Sequence, residues 1–183
     1  MKVGIIVGSI REGRRGLGVG KWVLERASER REAEFELIDL KEFDVPLLTS
    51  RTLPSVANKQ YGSENVRRWS AAIDACDAYI FVTPEYNHGL PGAFKNAVDT
   101  LGPEWTGKPV GFVSYGSVEG IRAAEQWRQV VVNFSMVDVR AQVSLSNFTE
   151  FADDGTPTPR PQREIDLKAL LDQLLDAARR AAR

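Results

Sequence analysis

Val3-Gly4-Ile5-Ile6-Val7-Gly8-Ser9-Ile10-Arg11 begins as a short apolar run and leads directly into a loop rich in glycine and arginine. Apolar, mostly β-branched residues without polar alternation predict a strand buried on both faces, as in a parallel sheet. The loop that follows, residues 8–20, contains five glycines and three arginines. A buried first strand followed by a bendable, basic loop is typical of α/β proteins that bind a phosphate at that point.

The same alternation continues along the chain. Strands are predicted at residues 3–7, 35–40, 79–82, 110–114 and 139–144. Helices are predicted at 18–31, 92–101 and 121–133. Another helix is predicted to begin at residue 64, and the last one to include the leucines of 167–178. Right-handed crossovers between such strands give a parallel sheet with helices on both faces. We therefore predict an α/β fold in a single domain, residues 1–183.

Composition narrows the class of protein. The net charge is −1, so no overall electrostatic field attracts nucleic acid or an anionic membrane. The hydrophobic residues, 43% of the chain, suffice for an ordinary buried core. One histidine and one cysteine provide no metal-ligand cluster, and Cys76 is expected to be a buried structural thiol. The sequence has neither a signal-peptide pattern nor an apolar run of transmembrane length. We expect a cytoplasmic protein that binds neither nucleic acid, membrane nor metal.

Three connections follow the first, third and fourth predicted strands: residues 8–20, 83–91 and 115–120. All three are rich in Gly, Pro, Asn or Ser. Ligands of open parallel sheets bind beyond the carboxyl ends of the strands, so these segments should converge on one site. The long segment 41–62 is a further candidate for function or for an interface.

Three anion-binding templates compete for residues 8–20. A Walker loop fails, because Arg15 occupies the position of its first glycine and Trp22 that of its hydroxyl residue. A dinucleotide loop lacks its third glycine, although Asp39 lies about 20 residues downstream, where such a fold places an acidic residue. The third template is a phosphate nest for a mononucleotide, at the N-terminus of the following helix.

The arginines favour the mononucleotide. A terminal phosphate monoester carries about −1.5 to −2 charge near neutral pH, and each charge-assisted hydrogen bond to it is worth about 1.5–3 kcal/mol. Ser9, Arg11 and Arg14 can supply such bonds.

The most specific stretch follows the third strand and reads Thr83-Pro84-Glu85-Tyr86-Asn87-His88-Gly89-Leu90-Pro91-Gly92-Ala93-Phe94-Lys95-Asn96-Ala97-Val98-Asp99. Together with Gly8-Ser9-Ile10-Arg11 and Arg14, and with Ser114-Tyr115-Gly116-Ser117 and Gly120, it resembles the motifs of the NADPH-dependent FMN reductase family. The resemblance spans about residues 2–145. Gly89 stands where members often carry serine, and Ser117 replaces a common glycine.

The resemblance implies a flavodoxin-like three-layer sandwich with a five-stranded parallel sheet in the order 2-1-3-4-5. It implies non-covalently bound FMN, with NAD(P)H as electron donor. The implied FMN-binding residues are Ser9, Arg11, Arg14 and Gly16 at the phosphate, then Pro84, Glu85, Tyr86, Asn87 and His88, and finally Tyr115, Gly116, Ser117 and Gly120. Backbone N–H groups around Asn87 and Gly116 are expected to stabilise negative charge on the ring.

The function that follows is an FMN oxidoreductase passing electrons from NAD(P)H to quinones, azo compounds, free flavin or metal oxyanions. The cofactor carries the chemistry, so no catalytic side chain is expected. His88 is either a proton donor or a packing residue, and Glu85 either a catalytic or a helix-capping carboxylate. The alternative is a flavodoxin-like electron carrier or a flavin-binding regulatory protein. Family resemblance also implies a homodimer or homotetramer, with Trp69 and Trp105 in contacts or in the core.

Overall fold

The structure, a computed structural model, describes residues 1–182, so Arg183 of the predicted domain lies outside the described residues. Five strands form a parallel sheet in the order β2-β1-β3-β4-β5, which confirms the predicted topology. The strands are β1 Lys2–Val7, β2 Glu34–Asp39, β3 Ala78–Pro84, β4 Pro109–Gly116 and β5 Val137–Ser146. The helices are α1 Gly16–Ala27, α2 Glu64–Asp74, α3 Gly92–Asp99, α4 Ile121–Val131 and α5 Pro161–Ala181.

Two apolar layers enclose the sheet. On one face α1 and α5 pack through Trp22, Val23 and the leucines of α5. On the other face α2, α3 and α4 bury a cluster of aromatic rings around Phe81. β3 is buried along its whole length, because it lies in the centre of the sheet and is covered on both faces. The predicted three-layer arrangement is thereby confirmed.

The limits of α1 differ from the prediction. The helix begins at Gly16, two residues before the predicted start, and ends at Ala27 rather than near residue 31. Ala27 is the last buried residue of the helix, and the next six residues are exposed or half-buried. Without an apolar face those residues gain nothing from remaining helical. The earlier start brings the N-terminus of α1 directly to the end of the basic loop.

The segment 41–62 contains only short 3₁₀ turns, at Leu40–Phe43 and Pro54–Val56. It exposes apolar side chains, with Leu47 76% and Val56 70% accessible. Trp69 and Trp105, by contrast, are fully buried, so both belong to the core. Cys76 is also buried, and burial raises the pKa of its thiol to about 11, as expected for a structural thiol.

Candidate functional site

The three predicted connections meet at the carboxyl edge of the sheet. Gly8 N–H donates to the carbonyl of Val82 at 2.9 Å. Glu85 N–H donates to the carbonyl of Tyr115 at 3.0 Å. The Ser9 and Tyr86 hydroxyls lie 2.7 Å apart in a hydrogen bond. The loops after β1, β3 and β4 are thus joined to one another, which confirms the predicted convergence.

A cleft of about 510 Å³ opens between these loops. One side, here called the β1/β3 wall, consists of lining residues within 9–15 and 84–86. The other side, the β4/β5 wall, consists of Tyr115, Ser117, Asn147 and Phe148. The predicted residues that line the cleft are Ser9, Arg11, Arg14, Pro84, Glu85, Tyr86, Tyr115 and Ser117. The other predicted residues, Gly16, Asn87, His88, Gly116 and Gly120, lie behind or beside this lining.

The basic end of the cleft lies where the loop after β1 meets α1. No side chain caps the N-terminus of this helix, and its first turn carries no acidic residue. Its first N–H groups and the positive end of the helix dipole therefore attract an anion. Arg11 makes no ion pair with any residue in 1–182, and its guanidinium carbon lies 5.8 Å from the centroid of the Tyr86 ring.

Arg14 forms an ion pair with Asp39 at the end of β2, and both side chains are nearly buried. Asp39 also accepts a hydrogen bond from Lys41 N–H at 3.1 Å. This carboxylate, the candidate partner of a dinucleotide ribose, is therefore already bonded within the protein. The Nε atom of Arg14, in contrast, is buried without a hydrogen-bond partner among the described residues. Such a donor normally has a partner, which a ligand oxygen can supply.

The turn after β3 is a tight hairpin. Tyr86 and Gly89 exchange both backbone hydrogen bonds, each 3.0 Å long. The two central residues, Asn87 and His88, have positive φ values of 49° and 66°, as a type I′ turn requires. Their side chains are exposed at the tip of the turn, while the Tyr86 ring is turned back toward Ser9. The turn therefore presents Tyr86 rather than His88 to the cleft.

Glu85 caps a helix. Its carboxylate accepts hydrogen bonds from Arg122 N–H at 3.2 Å and from the Arg122 guanidinium at 2.8 Å. Arg122 is the second residue of α4, so the carboxylate satisfies a free N–H group at the positive end of that helix. Its negative charge is neutralised there. The side chain fixes the position of α4 against the cleft.

The end of β4 places Tyr115 against the start of α1. Tyr115 is 5% exposed, and burial raises the pKa of its phenol above the ordinary range, so it remains protonated at neutral pH. A methyl group on Gly16 would lie only 2.6 Å from the Tyr115 hydroxyl oxygen. Gly16 thus permits close packing of α1 on this end of β4. Gly120 adopts φ 70°, which lets the chain reverse into α4.

The cleft also contains residues that the sequence analysis missed: Gly13, Arg15, Asn147 and Phe148. Arg15 lies in the quoted loop, and its Nη1 donates to the carbonyl of Asn147 at 3.1 Å. Asn147 and Phe148 follow β5, so the rule that ligands bind at the carboxyl ends of strands could have located them. The prediction applied that rule only to β1, β3 and β4.

The arrangement fits a mononucleotide with a flat ring. One end supplies arginines, a helix N-terminus and an unpartnered guanidinium N–H, which suit a phosphate monoester. The other end supplies tyrosine side chains and the stiff Pro84, which suit a ring system. No group of three or more His, Cys, Asp or Glu side chains able to hold a metal occurs within residues 1–182. No helix in the same range is long and apolar enough to cross a membrane.

Fold and cleft together define a flavodoxin-like nucleotide-binding protein. The sequence profile of the family described as NADPH-dependent FMN reductase matches residues 1–150, so the chain belongs to that family. NAD(P)H-dependent FMN reductase ntnL of Nectria sp is 42% identical over 129 residues, which cover 68% of this chain and 64% of that protein. NAD(P)H-dependent FMN reductase LOT6 of Saccharomyces cerevisiae is 35% identical over 145 residues, covering 74% of this chain and 76% of that one.

Structural comparison agrees with this assignment. FerB, a flavoenzyme NAD(P)H:(acceptor) oxidoreductase from Paracoccus denitrificans, superposes with a TM-score of 0.74 at 25% identity, covering 98% of each chain. More distant relatives, 30% identical over 141 residues, are named quinone reductases. The predicted family is confirmed, and it implies FMN as cofactor with NAD(P)H as electron donor. The match spans less than two thirds of the Nectria protein.

Proposed function

We propose that the protein is an NAD(P)H-dependent oxidoreductase that uses bound FMN to pass electrons to small acceptors such as quinones, azo compounds or flavins. One observation carries the proposal. The cleft joins an arginine-rich helix N-terminus, with the unpartnered Nε of Arg14, to a ring-binding end made by Tyr86 and Tyr115. A phosphate and a planar ring at the two ends of one ligand match this distribution.

When bound, FMN supplies the two-electron redox chemistry. Arg11, Arg14 and the first turn of α1 would hold its phosphate and offset the charge. Tyr86 and Pro84 would contact the ring from the β3 side, and Tyr115 and Ser117 would contact it from the β4 side. Arg11 and Phe148 are exposed on opposite walls of the cleft, and NAD(P)H and then the acceptor would enter between them.

No side-chain acid or base takes part in this proposal. His88 lies at the tip of the turn with an exposed side chain, and only its carbonyl is engaged, by Gln126 Nε2 at 2.8 Å. Glu85 is committed to Arg122 and to α4. In the overall reaction NAD(P)H loses a hydride, which carries two electrons and one proton, and a quinone gains two electrons and two protons. Solvent water supplies the second proton.

An anaerobic experiment separates this function from its alternatives. The purified protein is loaded with FMN, NADPH or NADH is added without oxygen, and the visible flavin absorbance is followed. We expect bleaching, and then recovery of the absorbance with repeated turnover when a water-soluble quinone is added. A flavodoxin-like carrier would not bleach with NAD(P)H. A regulatory flavoprotein would bleach but would turn over neither quinone, azo dye nor free flavin.

A matched pair of variants ties the activity to the cleft. Arg11→Ala removes a cleft arginine that makes no ion pair within residues 1–182. Arg31→Ala removes an equally exposed arginine far from the cleft. We expect Arg11→Ala to raise the FMN concentration needed for half-maximal activity by about tenfold, since one charge-assisted hydrogen bond is lost. Arg31→Ala should leave it unchanged. Equal behaviour of the two variants would contradict the proposal.

We further propose that the protein forms a homodimer or homotetramer and works in the cytoplasm. The exposed apolar side chains of the segment 41–62, among them Leu47, Leu53 and Val56, support an interface. Sedimentation velocity over a range of concentrations tests the assembly. A monomer at micromolar concentration would contradict it.

A further inference from the structure

Asn147, the first residue after β5, is held between two segments of the cleft. Its N–H donates to the carbonyl of Gly116 in the turn after β4, at 2.9 Å. Its carbonyl accepts a hydrogen bond from Arg15 Nη1 in the loop after β1, at 3.1 Å. Arg15 is itself fixed, because its guanidinium lies 4.8 Å over the ring of Phe151. The backbone of Asn147 is thus anchored midway between the basic end and the ring end of the cleft.

The side chain of Asn147 has an unfilled hydrogen-bonding position. Its Oδ1 atom is buried and finds no hydrogen-bond partner within residues 1–182. Within that range, the only other buried side-chain atom in this condition is Nε of Arg14, which lines the same cleft. Buried polar atoms without partners are uncommon in native proteins, and two in one cleft indicate groups supplied by a ligand.

The chemistry of the missing group can be deduced. An amide oxygen accepts a hydrogen bond, so its partner must be a donor. An ionised phosphate offers only acceptors, and a flavin ring offers one N–H donor at its pyrimidine edge. The ribityl chain, which joins phosphate to ring, carries three hydroxyl groups. A hydroxyl both donates and accepts, so it pairs with a carboxamide in either orientation.

On the basis of the proposed function, we infer that Asn147 binds a ribityl hydroxyl of the flavin and thereby selects flavins that carry the sugar chain. The position of Asn147 between the two ends of the cleft agrees with the position of that chain between phosphate and ring. Arg15 is a positioning residue in this scheme, because its Nη1 donates to the carbonyl of Asn147. The loop after β5 would thus contact the ribityl chain, between the phosphate and the ring of the cofactor.

Binding of three flavins to the apo-protein tests the inference without reference to activity. Lumiflavin has the ring alone, riboflavin adds the ribityl chain, and FMN adds the phosphate. The Asn147→Leu variant keeps the size of the side chain and removes its hydrogen bonds. We expect it to lower the affinities for riboflavin and FMN by the same factor, about three- to tenfold, and to leave the affinity for lumiflavin unchanged. Fluorescence titration measures all three affinities.

Two further variants distinguish a bond from a packing effect. Asn147→Asp keeps the acceptor but adds a negative charge, so riboflavin should bind almost as in the wild type while FMN binds more weakly. Asn133 is an exposed asparagine outside this cleft, so Asn133→Leu should leave the affinities for all three flavins unchanged. Circular dichroism and the melting temperature confirm that each variant is folded.

The outcomes are separable. The inference is overturned, while the proposed function stands, if Asn147→Leu lowers the affinities for all three flavins equally. The same holds if the variant does not lower the affinities for riboflavin and FMN. A wild-type protein that binds FMN no more tightly than lumiflavin contradicts the proposed function, and the inference falls with it.

Discussion

The two walls of the cleft are built in different ways. The β1/β3 wall is formed by two short segments of the chain. One is a loop with charged side chains, and the other is a type I′ turn that directs Tyr86 toward Ser9. The β4/β5 wall depends on distant residues, because α5 fixes it through ion pairs. Arg163 bonds to Glu119 in the β4 turn at 3.1 Å and to Glu150 after β5 at 2.9 Å. The arginines that line the cleft therefore all lie in one wall, while the position of the other wall depends on residues beyond the family match at 1–150.

The largest effect should come from Glu150, which anchors the β4/β5 wall. It is fully buried and accepts hydrogen bonds from Ser146 N–H at 2.8 Å and from Arg160 and Arg163. Glu150→Ala should lower the free energy of unfolding by about 3 kcal/mol, since it leaves Arg163 nearly buried without its main partner. Asp176→Ala, which removes the exposed partner of Arg180, should cost less than about 1 kcal/mol. Chemical denaturation that finds equal losses would contradict this difference.

The same residue makes stability depend on pH. Burial alone would raise the pKa of Glu150, but hydrogen bonds from Arg163, Ser146 N–H and Arg160 outweigh it and lower the pKa to about 2, from an ordinary value of 4.5. A depressed pKa in the folded state contributes stability above pH 4.5, and this contribution is lost as the pH falls toward 2. The stability difference between wild type and Glu150→Gln should therefore shrink over this interval. A difference that is constant with pH would contradict the assignment.

The next largest effect concerns the basic end of the β1/β3 wall. Arg14→Ala alone would leave the nearly buried Asp39 unpaired, so it is best combined with Asp39→Asn, which keeps the hydrogen bond to Lys41 N–H. With Arg11→Ala added, FMN binding should weaken by about 3 kcal/mol, roughly 100-fold, for two lost charge-assisted hydrogen bonds. Riboflavin binding should change little, because it lacks the phosphate. Asp39→Asn alone is the control, and it should not lower the affinity for FMN. Equal losses for FMN and riboflavin would place the phosphate elsewhere.

A smaller effect tests how the two motifs of the β1/β3 wall pack on each other. A methyl group on Gly8 would lie 2.0 Å from the Phe94 ring of α3, whereas one on Gly92 would meet nothing within 4 Å. Gly8→Ala should destabilise the protein by about 1–3 kcal/mol. Gly92→Ala should change stability by less than about 0.5 kcal/mol. Melting curves of the two variants measure the difference, and similar curves would show that the loop after β1 moves freely relative to α3.

The smallest effect is expected at the turn tip. His88 has a φ of 66°, which favours glycine, so His88→Gly should raise stability by about 0.5–1 kcal/mol. The rate of flavin bleaching by NADPH should stay within about threefold, since a proton donor would contribute about 100-fold or more. Stopped-flow reduction of the variant decides the point. A loss of two orders of magnitude would restore the proton-donor hypothesis for His88.

The sequence predicted what depends on local pattern. The strands themselves and the meeting of the loops after β1, β3 and β4 follow from periodicity and the parallel topology, whereas the order of the strands followed from the family resemblance. The pairing of Arg14 with Asp39 could not be predicted in this way, because it needs the register of two strands. Asn147 carries no motif, and its role follows from a buried atom without a partner, which only coordinates reveal.

If the cleft binds a flavin by its phosphate at the β1/β3 wall, the wild-type apo-protein must distinguish FMN from riboflavin. Titration of both flavins in the same buffer measures this difference. FMN should bind about 100-fold more tightly, with a difference that diminishes at high salt as the arginines are screened. Equal affinity for the two flavins at low salt would contradict it.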